Sequence, residues 1–241
     1  MKTPEQLTAR TMRFYDRYGL ELEQIKNLLT IKLKQLALAY TINNRLPPEA
    51  VTVNGRVKTI RSFLKKLEND SWPEFYYPTE VIKDLIGARI VCWFIDDCYG
   101  MLEAINGSSH FKVIDDGSLP IKDYNKNPQI AGYRAIHLFA KVDYESVQKK
   151  DDQVTVVPED MICEIQIRTK FQDAWADTTH EFFWKAKVQG VQSDDHEEFL
   201  AAFAERLAVE DKTLLRMRGA YQRLADKKQA EGRREGFKDE D

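Results

Sequence analysis

Three side chains at alternate positions, Glu164, Gln166 and Arg168, set the chemical question for this chain. In an extended strand Ile162, Glu164, Gln166 and Arg168 share one face, while Cys163, Ile165 and Ile167 share the other. The second face reads as core. The first lines up an acid, an amide and a guanidinium, groups that are costly to bury unless each finds a partner. Taken alone, such a row reads equally as a solvent-facing strand.

Other segments offer matching chemistry. Lys58, Ser62 and Lys66 are spaced i, i+4, i+8, so on a helix they share one stripe. The spacing predicts a helix from about Arg56 to Glu68, with Val57, Ile60, Leu64 and Leu67 inward. Arg56 then stands at the helix start, where a cation opposes the dipole unless an anion such as a triphosphate binds there. Asp84 precedes an apolar run, well placed to hold Mg²⁺, which takes one or two carboxylates plus substrate phosphates. Arg89 suits stacking on a base or clamping phosphate. Tyr133 and His137 share a strand face that offers a stacking platform for a base. No GxxxxGK[ST] and no GxGxxG occurs, so a phosphate site of P-loop or Rossmann type is excluded.

The elements that must position these groups follow from periodicity. Leu22, Ile25, Leu28, Leu29, Leu33, Leu36 and Tyr40 recur at helical spacing, Pro47-Pro48 ends that region, and Asn54-Gly55 reads as a turn. Strands are predicted at Ala88–Ile95, Phe111–Ile114, Ala135–Tyr144 and Met161–Thr169. Asp96-Asp97 reads as the cap of a helix carrying Tyr99, Leu102 and Ile105. Residues 115–131 read as a loop and 171–187 as helix. A last amphipathic helix carries Phe199, Phe203, Leu207, Leu214, Leu215, Tyr221 and Leu224, and the charged end from Gln229 reads as frayed. The pattern is α+β or α/β, a mixed sheet with helices before and after it.

Composition narrows the function classes. The chain has 241 residues, 43% of them hydrophobic, enough for a sizeable core. Its 36 Lys+Arg against 39 Asp+Glu leave a formal charge of −3, so no global positive field recruits nucleic acid. No apolar run suits a membrane span, and the polar N-terminus lacks a signal peptide's apolar stretch. The three cysteines, Cys92, Cys98 and Cys163, form no CxxC pair and read as reduced thiols of a cytoplasmic protein. The four scattered histidines argue against a His-based metal cluster.

Taken together and in order, these motifs resemble the synthetase domain of the RelA/SpoT alarmone synthetases, over roughly Val51 to Lys187. The resemblance implies a nucleotidyltransferase-like α+β fold: a helical segment at 1–50, a synthetase core at 51–187 and a C-terminal helix with a charged tail at 188–241. It implies Mg²⁺-dependent transfer of the β,γ-diphosphate of ATP to the 3′-hydroxyl of GDP or GTP. The ATP site then falls on Arg56, Lys58, Ser62, Lys66, Arg89 and Lys122. The metal falls on Asp84 and Glu164, with Glu164 also the proposed base. The acceptor nucleotide falls on Tyr133, Arg134, His137 and Gln166. Trp175-Ala176 and His180 match the following helix.

The family's acceptor loop usually reads Pro-Lys-x-Asn-Gly-Tyr; here it is Pro128-Gln129-Ile130-Ala131-Gly132-Tyr133. Thr179 stands where Glu commonly precedes the His. Both departures lie on the acceptor side, so tRNA 3′ ends or adenosine nucleotides are the alternative acceptors. At this length the chain is expected to be a small, single-synthetase member without the hydrolase domain of long members, and a possible homo-oligomer.

Overall fold

The computed structural model describes residues 2–150, 153–188 and 194–236, with side chains except at 130, 150, 180–188, 194 and 229–236. The chain opens with helix α1 (Pro4–Asn43), where Thr3 and Gln6 form a capping box and Pro4 occupies the first turn. Strand β1 (Val51–Val57), helix α2 (Ile60–Asn69), the short α3 (Pro78–Val81) and strand β2 (Ile86–Cys92) follow. Then come α4 (Ile95–Asn106), β3 (Lys112–Ile114), β4 (Lys122–Asp123), β5 (Ile136–Lys150), β6 (Gln153–Thr169), α5 (Lys170–Val188) and α6 (Asp194–Gly236).

The strands make one mixed sheet in the order β1-β2-β6-β5-β3, with β4 added to β5. Among the described residues only the β2–β6 pair is parallel; the other pairs are antiparallel. This is the α+β arrangement expected, a mixed sheet with helices at both ends of the chain.

The two sheet faces do different work. Ala88 and Ile90 of β2, Leu138 and Ala140 of β5, and Cys163, Ile165 and Ile167 of β6 are all buried on one face. Helices α1 and α4 cover it, with Leu22, Ile25, Leu29 and Leu33 of α1 buried against the sheet cluster. Each such aliphatic side chain contributes about 1.5–3 kcal/mol on burial. The opposite face presents Arg89, His137, Glu164, Gln166 and Arg168, and α5 flanks it.

Several elements differ from the sequence reading. The helix expected from Arg56 begins at Ile60, capped by Thr59, whose Oγ1 accepts from the Ser62 N–H at 3.2 Å. Arg56 belongs instead to β1, so the dipole argument for an anion at Arg56 does not apply. Asn54-Gly55 is strand and not a turn, and glycine stands there because a Cβ at position 55 would strike the Thr30 hydroxyl of α1. The glycine lets the helix approach the sheet closely.

Strand β2 ends at Cys92, and Ile95 opens α4. Asp96 and Asp97 lie inside its first turn, and Phe94 is the cap position. Asp97 is fully buried, accepting from Tyr40 Oη at 3.0 Å and Arg218 Nη1 at 2.8 Å. The β5–β6 hairpin runs well beyond Tyr144 and Met161. Residues 115–131 hold β4 and part of a 3₁₀ turn, Ile130–Gly132.

On α6, Ala204 and Asp211 face the body, whereas Phe199, Phe203, Tyr221 and Leu224 are exposed. Of the expected apolar stripe, Leu207, Leu214 and Leu215 are half-buried, Leu207 against the Trp175–Ala204 cluster, so only part of the stripe faces the body. The helix backbone continues through the stretch from Gln229 expected to fray; residues 237–241 lie outside the described ones. Among the described residues no helix is long and apolar enough to cross a membrane.

Candidate active site

Strand register explains why the polar residues meet. On β6, Glu164 lies beside Gly87 of β2 and Phe139 of β5, and Gln166 lies between Arg89 and His137. Alternation then turns Glu164, Gln166, Arg89 and His137 to the same side. An open cleft of about 230 Å³ on that side is lined by Asn54, Arg56, Arg89, Glu164 and Gln166, with glycine or alanine at positions 55, 87 and 88. Gly87, flanked in register by Arg56 and Glu164, puts no side chain on this face and leaves the backbone open there to a ligand.

The polar side chains close a hydrogen-bonded circuit. His137 Nδ1 lies 3.1 Å from Glu164 Oε1, and its Nε2 lies 2.6 Å from Tyr133 Oη. Arg168 donates to Tyr133 Oη at 2.7 Å and to Gln166 Oε1 at 2.6 Å. Gln166 Nε2 returns to Glu164 Oε2 at 2.8 Å. Both Glu164 oxygens are thus engaged. Burial pushes the Glu164 carboxyl up and the nearby Asp84 charge adds to that, but His137 and Gln166 outweigh both and hold it below the usual range. Glu164 is an ionised, oriented acceptor of protons.

Asp84 forms a second centre at the entry to β2. Lys58 Nζ reaches its Oδ2 at 2.7 Å and Lys66 Nζ its Oδ1 at 2.8 Å. Lys58 lies before α2 and Lys66 within it, so the two converge by the chain's turn at Thr59 and not as one helical stripe. Burial pushes Asp84 up, and the two ammonium groups overcome this and hold it below the usual range. Two ionised carboxylates within electrostatic reach of one another, flanked by lysines, are a donor set that fits Mg²⁺ completed by phosphates and water.

The remaining expected residues fall around these centres. Arg56 is exposed at the cleft wall and Ser62 stays in the α2 cap, where Thr59 donates to it at 2.9 Å. Lys122 is exposed on β4, directly opposite His137. Arg89 is held by Asp173 at 2.9 Å and Asp177 at 2.8 Å, one helical turn apart on α5. These acids were not singled out from sequence; their i, i+4 spacing after β6 is the signal that could have found them.

Two acceptor-side residues sit differently from the sequence reading. Tyr133 is no exposed platform. Its ring has Tyr124, His137 and Trp175 within 5.8, 5.7 and 6.1 Å, and the Arg168 guanidinium over it at 5.2 Å. Burial pushes its phenol up. Arg134 points away from the circuit, donating to the Asn125 carbonyl at 3.2 Å and pairing with Glu205 of α6. The structure brings together Glu164, His137, Gln166, Tyr133, Arg89 and Arg56 along one face, and Asp84, Lys58 and Lys66 beside it. It does not bring Arg134, Ser62 or Lys122 into hydrogen-bonded contact with them. His180 lies outside the described side chains.

Comparison with known proteins places the chain in a family. Residues 55–189 match a family model described as a region found in RelA / SpoT proteins. The chain is 30% identical over 172 residues to the GTP pyrophosphokinase YjbM of Bacillus subtilis (strain 168), covering 71% of this chain and 74% of that one. It is 29% identical over 131 residues to the GTP pyrophosphokinase YwaC of the same organism, covering 54% and 56%. Among solved structures, small alarmone synthetase 1 from Bacillus subtilis, bound to its product pppGpp, superposes with a TM-score of 0.71. The identity is 26%, over 87% of this chain and 99% of that one.

Proposed function

This chain belongs to the RelA/SpoT family as a small alarmone synthetase, a pyrophosphokinase, and we propose that it moves the β,γ-diphosphate of ATP to the 3′-hydroxyl of GDP or GTP. The products are ppGpp or pppGpp, and AMP. The observation that carries this reading is the Glu164 carboxylate, ionised and braced at Oε1 by His137 and at Oε2 by Gln166, on the wall of an open cleft.

Diphosphate transfer asks the protein to align the acceptor oxygen with the β-phosphorus and to offset phosphate charge. Arg56, Arg89, Lys58 and Lys66 supply that charge around the donor. Mg²⁺, held by Asp84 and Glu164, would neutralise the phosphate oxygens when bound. Glu164 takes the proton of the 3′-hydroxyl. Tyr133, His137 and Gln166 line the acceptor side. Lys122 beside His137 is placed to meet phosphate, and Ser62 keeps α2 and its Lys66 in position. Arg134 acts on the acceptor side by fixing the loop through Asn125 and Glu205. The core is 51–187, with helical extensions on both sides. Three buried, free thiols suit a reducing cytoplasm.

The test supplies γ-labelled ATP and Mg²⁺ with GDP, GTP, ATP or deacylated tRNA in separate reactions. Label on GDP or GTP is expected. Label on tRNA or ATP alone would replace the guanosine acceptor.

A further inference from the structure

Helix α6 starts beyond the 51–187 core, yet it grips the loop that carries Tyr133 from three sides. Ahead of Tyr133, Gly132 packs on the helix. A Cβ at Gly132 would lie 2.5 Å from Ala204 Cβ and 3.2 Å from Ala201 Cα, so the approach needs glycine facing small residues. After Tyr133, the Arg134 guanidinium pairs with Glu205. At the Tyr133 ring stands Trp175, 6.1 Å away, whose Nε1 donates to the Leu200 carbonyl at 3.2 Å. Leu200, Ala201, Ala204 and Glu205 fall within about two turns of the helix.

The loop needs such a support. Ala131 sits at φ 58° and Gly132 at φ 81°. Alanine is unfavourable in that region, and such backbone persists only where its surroundings hold it. Inside the loop, the Gly132 N–H donates to the Gln129 carbonyl at 3.0 Å and the Gln129 N–H to the Tyr133 carbonyl at 3.1 Å. Those bonds shape the turn, and the contacts with α6 anchor it. The donor side is held differently, with Lys58 and Lys66 bonded directly to Asp84.

Resting on the reading of Tyr133 as an acceptor residue, we propose that α6 positions the acceptor side, with Ala204 and Glu205 as positioning residues that keep the Tyr133 loop in its competent form. The effect is an equilibrium. If only a fraction of molecules holds the loop in place, apparent acceptor affinity falls by that fraction, while saturating acceptor draws the loop back. Weakening the grip of α6 therefore raises the KM for the acceptor and leaves kcat and the KM for ATP in place.

Steady-state rates of the full-length protein, with ATP and acceptor varied in turn, test this. The acceptor used is the one the parent labels. The Glu205 side chain is 68% exposed, so circular dichroism of Glu205→Ala should match the parent. Its acceptor KM should rise about threefold to fivefold, the scale of one partly exposed ion pair. Glu205→Gln, which keeps an oxygen for Arg134, should recover part of that rise. Ala204→Leu drives a larger side chain at Gly132 and should raise the acceptor KM about tenfold or more. Arg206→Ala, on the exposed side of the helix opposite Ala204, should change nothing. A loss that falls on kcat, or equally on both KM values, marks a merely structural helix and overturns the proposal. An acceptor KM unmoved in both Ala204→Leu and Glu205→Ala overturns it too. A parent that labels no acceptor contradicts the proposed function itself, and this inference falls with it.

Discussion

The His137 imidazole braces the Glu164 carboxylate, Nδ1 to Oε1 at 3.1 Å, across the β5–β6 pair. The brace continues to Tyr133 at 2.6 Å, so the carboxylate is tied through His137 to the Tyr133 phenol. With its carboxyl held below the usual range, Glu164 stays ionised as pH falls until that lowered value is crossed.

Removing the brace should move the acid limb of the rate. Glu164→Gln is expected to lower kcat by about 10²- to 10⁴-fold, the usual share of a positioned base. In His137→Ala the Glu164 carboxyl rises, so activity should be lost at higher pH than in the parent. A pH profile of kcat/KM checks this; an unmoved acid limb in His137→Ala would count against the brace.

Arg168 is 4% exposed and links Tyr133 to Gln166. Lysine cannot hold both partners in the plane of a guanidinium. Arg168→Lys should therefore cost about 1–3 kcal/mol of stability, measured by urea unfolding, because buried acceptors lose charged donors.

Asp211 of α6 accepts from the Thr169 hydroxyl at 2.8 Å, and burial pushes its carboxyl up to about 6. A raised folded value favours the neutral form. This contribution is full below the unfolded value near 3.8 and is lost as pH rises through about 6. Unfolding at pH 5 and pH 8 should show α6 docking weaker at pH 8. Asp211→Asn should abolish that difference and stabilise the protein at pH 8.

Ala131 holds φ 58° and Gly132 φ 81° in the acceptor loop. The left-handed region is unfavourable for alanine and tolerated by asparagine, the residue the family commonly carries there. Ala131→Asn should raise the melting temperature, corresponding to up to about 1 kcal/mol. Gly132→Ala should lower it, since its Cβ would lie 2.5 Å from Ala204 Cβ.

The polar face of the sheet was legible because strand alternation is local: Glu164, Gln166 and Arg168 had to share a face once Ile165 and Ile167 were core. The mixed sheet was legible from the same periodicities. What stayed hidden depends on neighbours distant in sequence. Gly55 looks like a turn until Thr30 of α1 is placed above it. Arg134 reads as an acceptor contact until Glu205 draws it toward α6. Asp173 and Asp177 are ordinary helix acids until β2 sets Arg89 beside them. Tyr133 offers a free ring on a strand diagram, but Trp175 and Arg168 enclose it.

The central claim is diphosphate transfer, and its most direct test is the stoichiometry of the nucleotide products. With ATP, Mg²⁺ and GDP or GTP, chromatography should show one AMP for each guanosine product gained, with both transferred phosphorus atoms on its 3′ side. The Asp84→Asn and Glu164→Gln proteins should form both products at rates lower by about 10²-fold or more. Release of ADP in place of AMP, or undiminished turnover in both variants, would contradict the account.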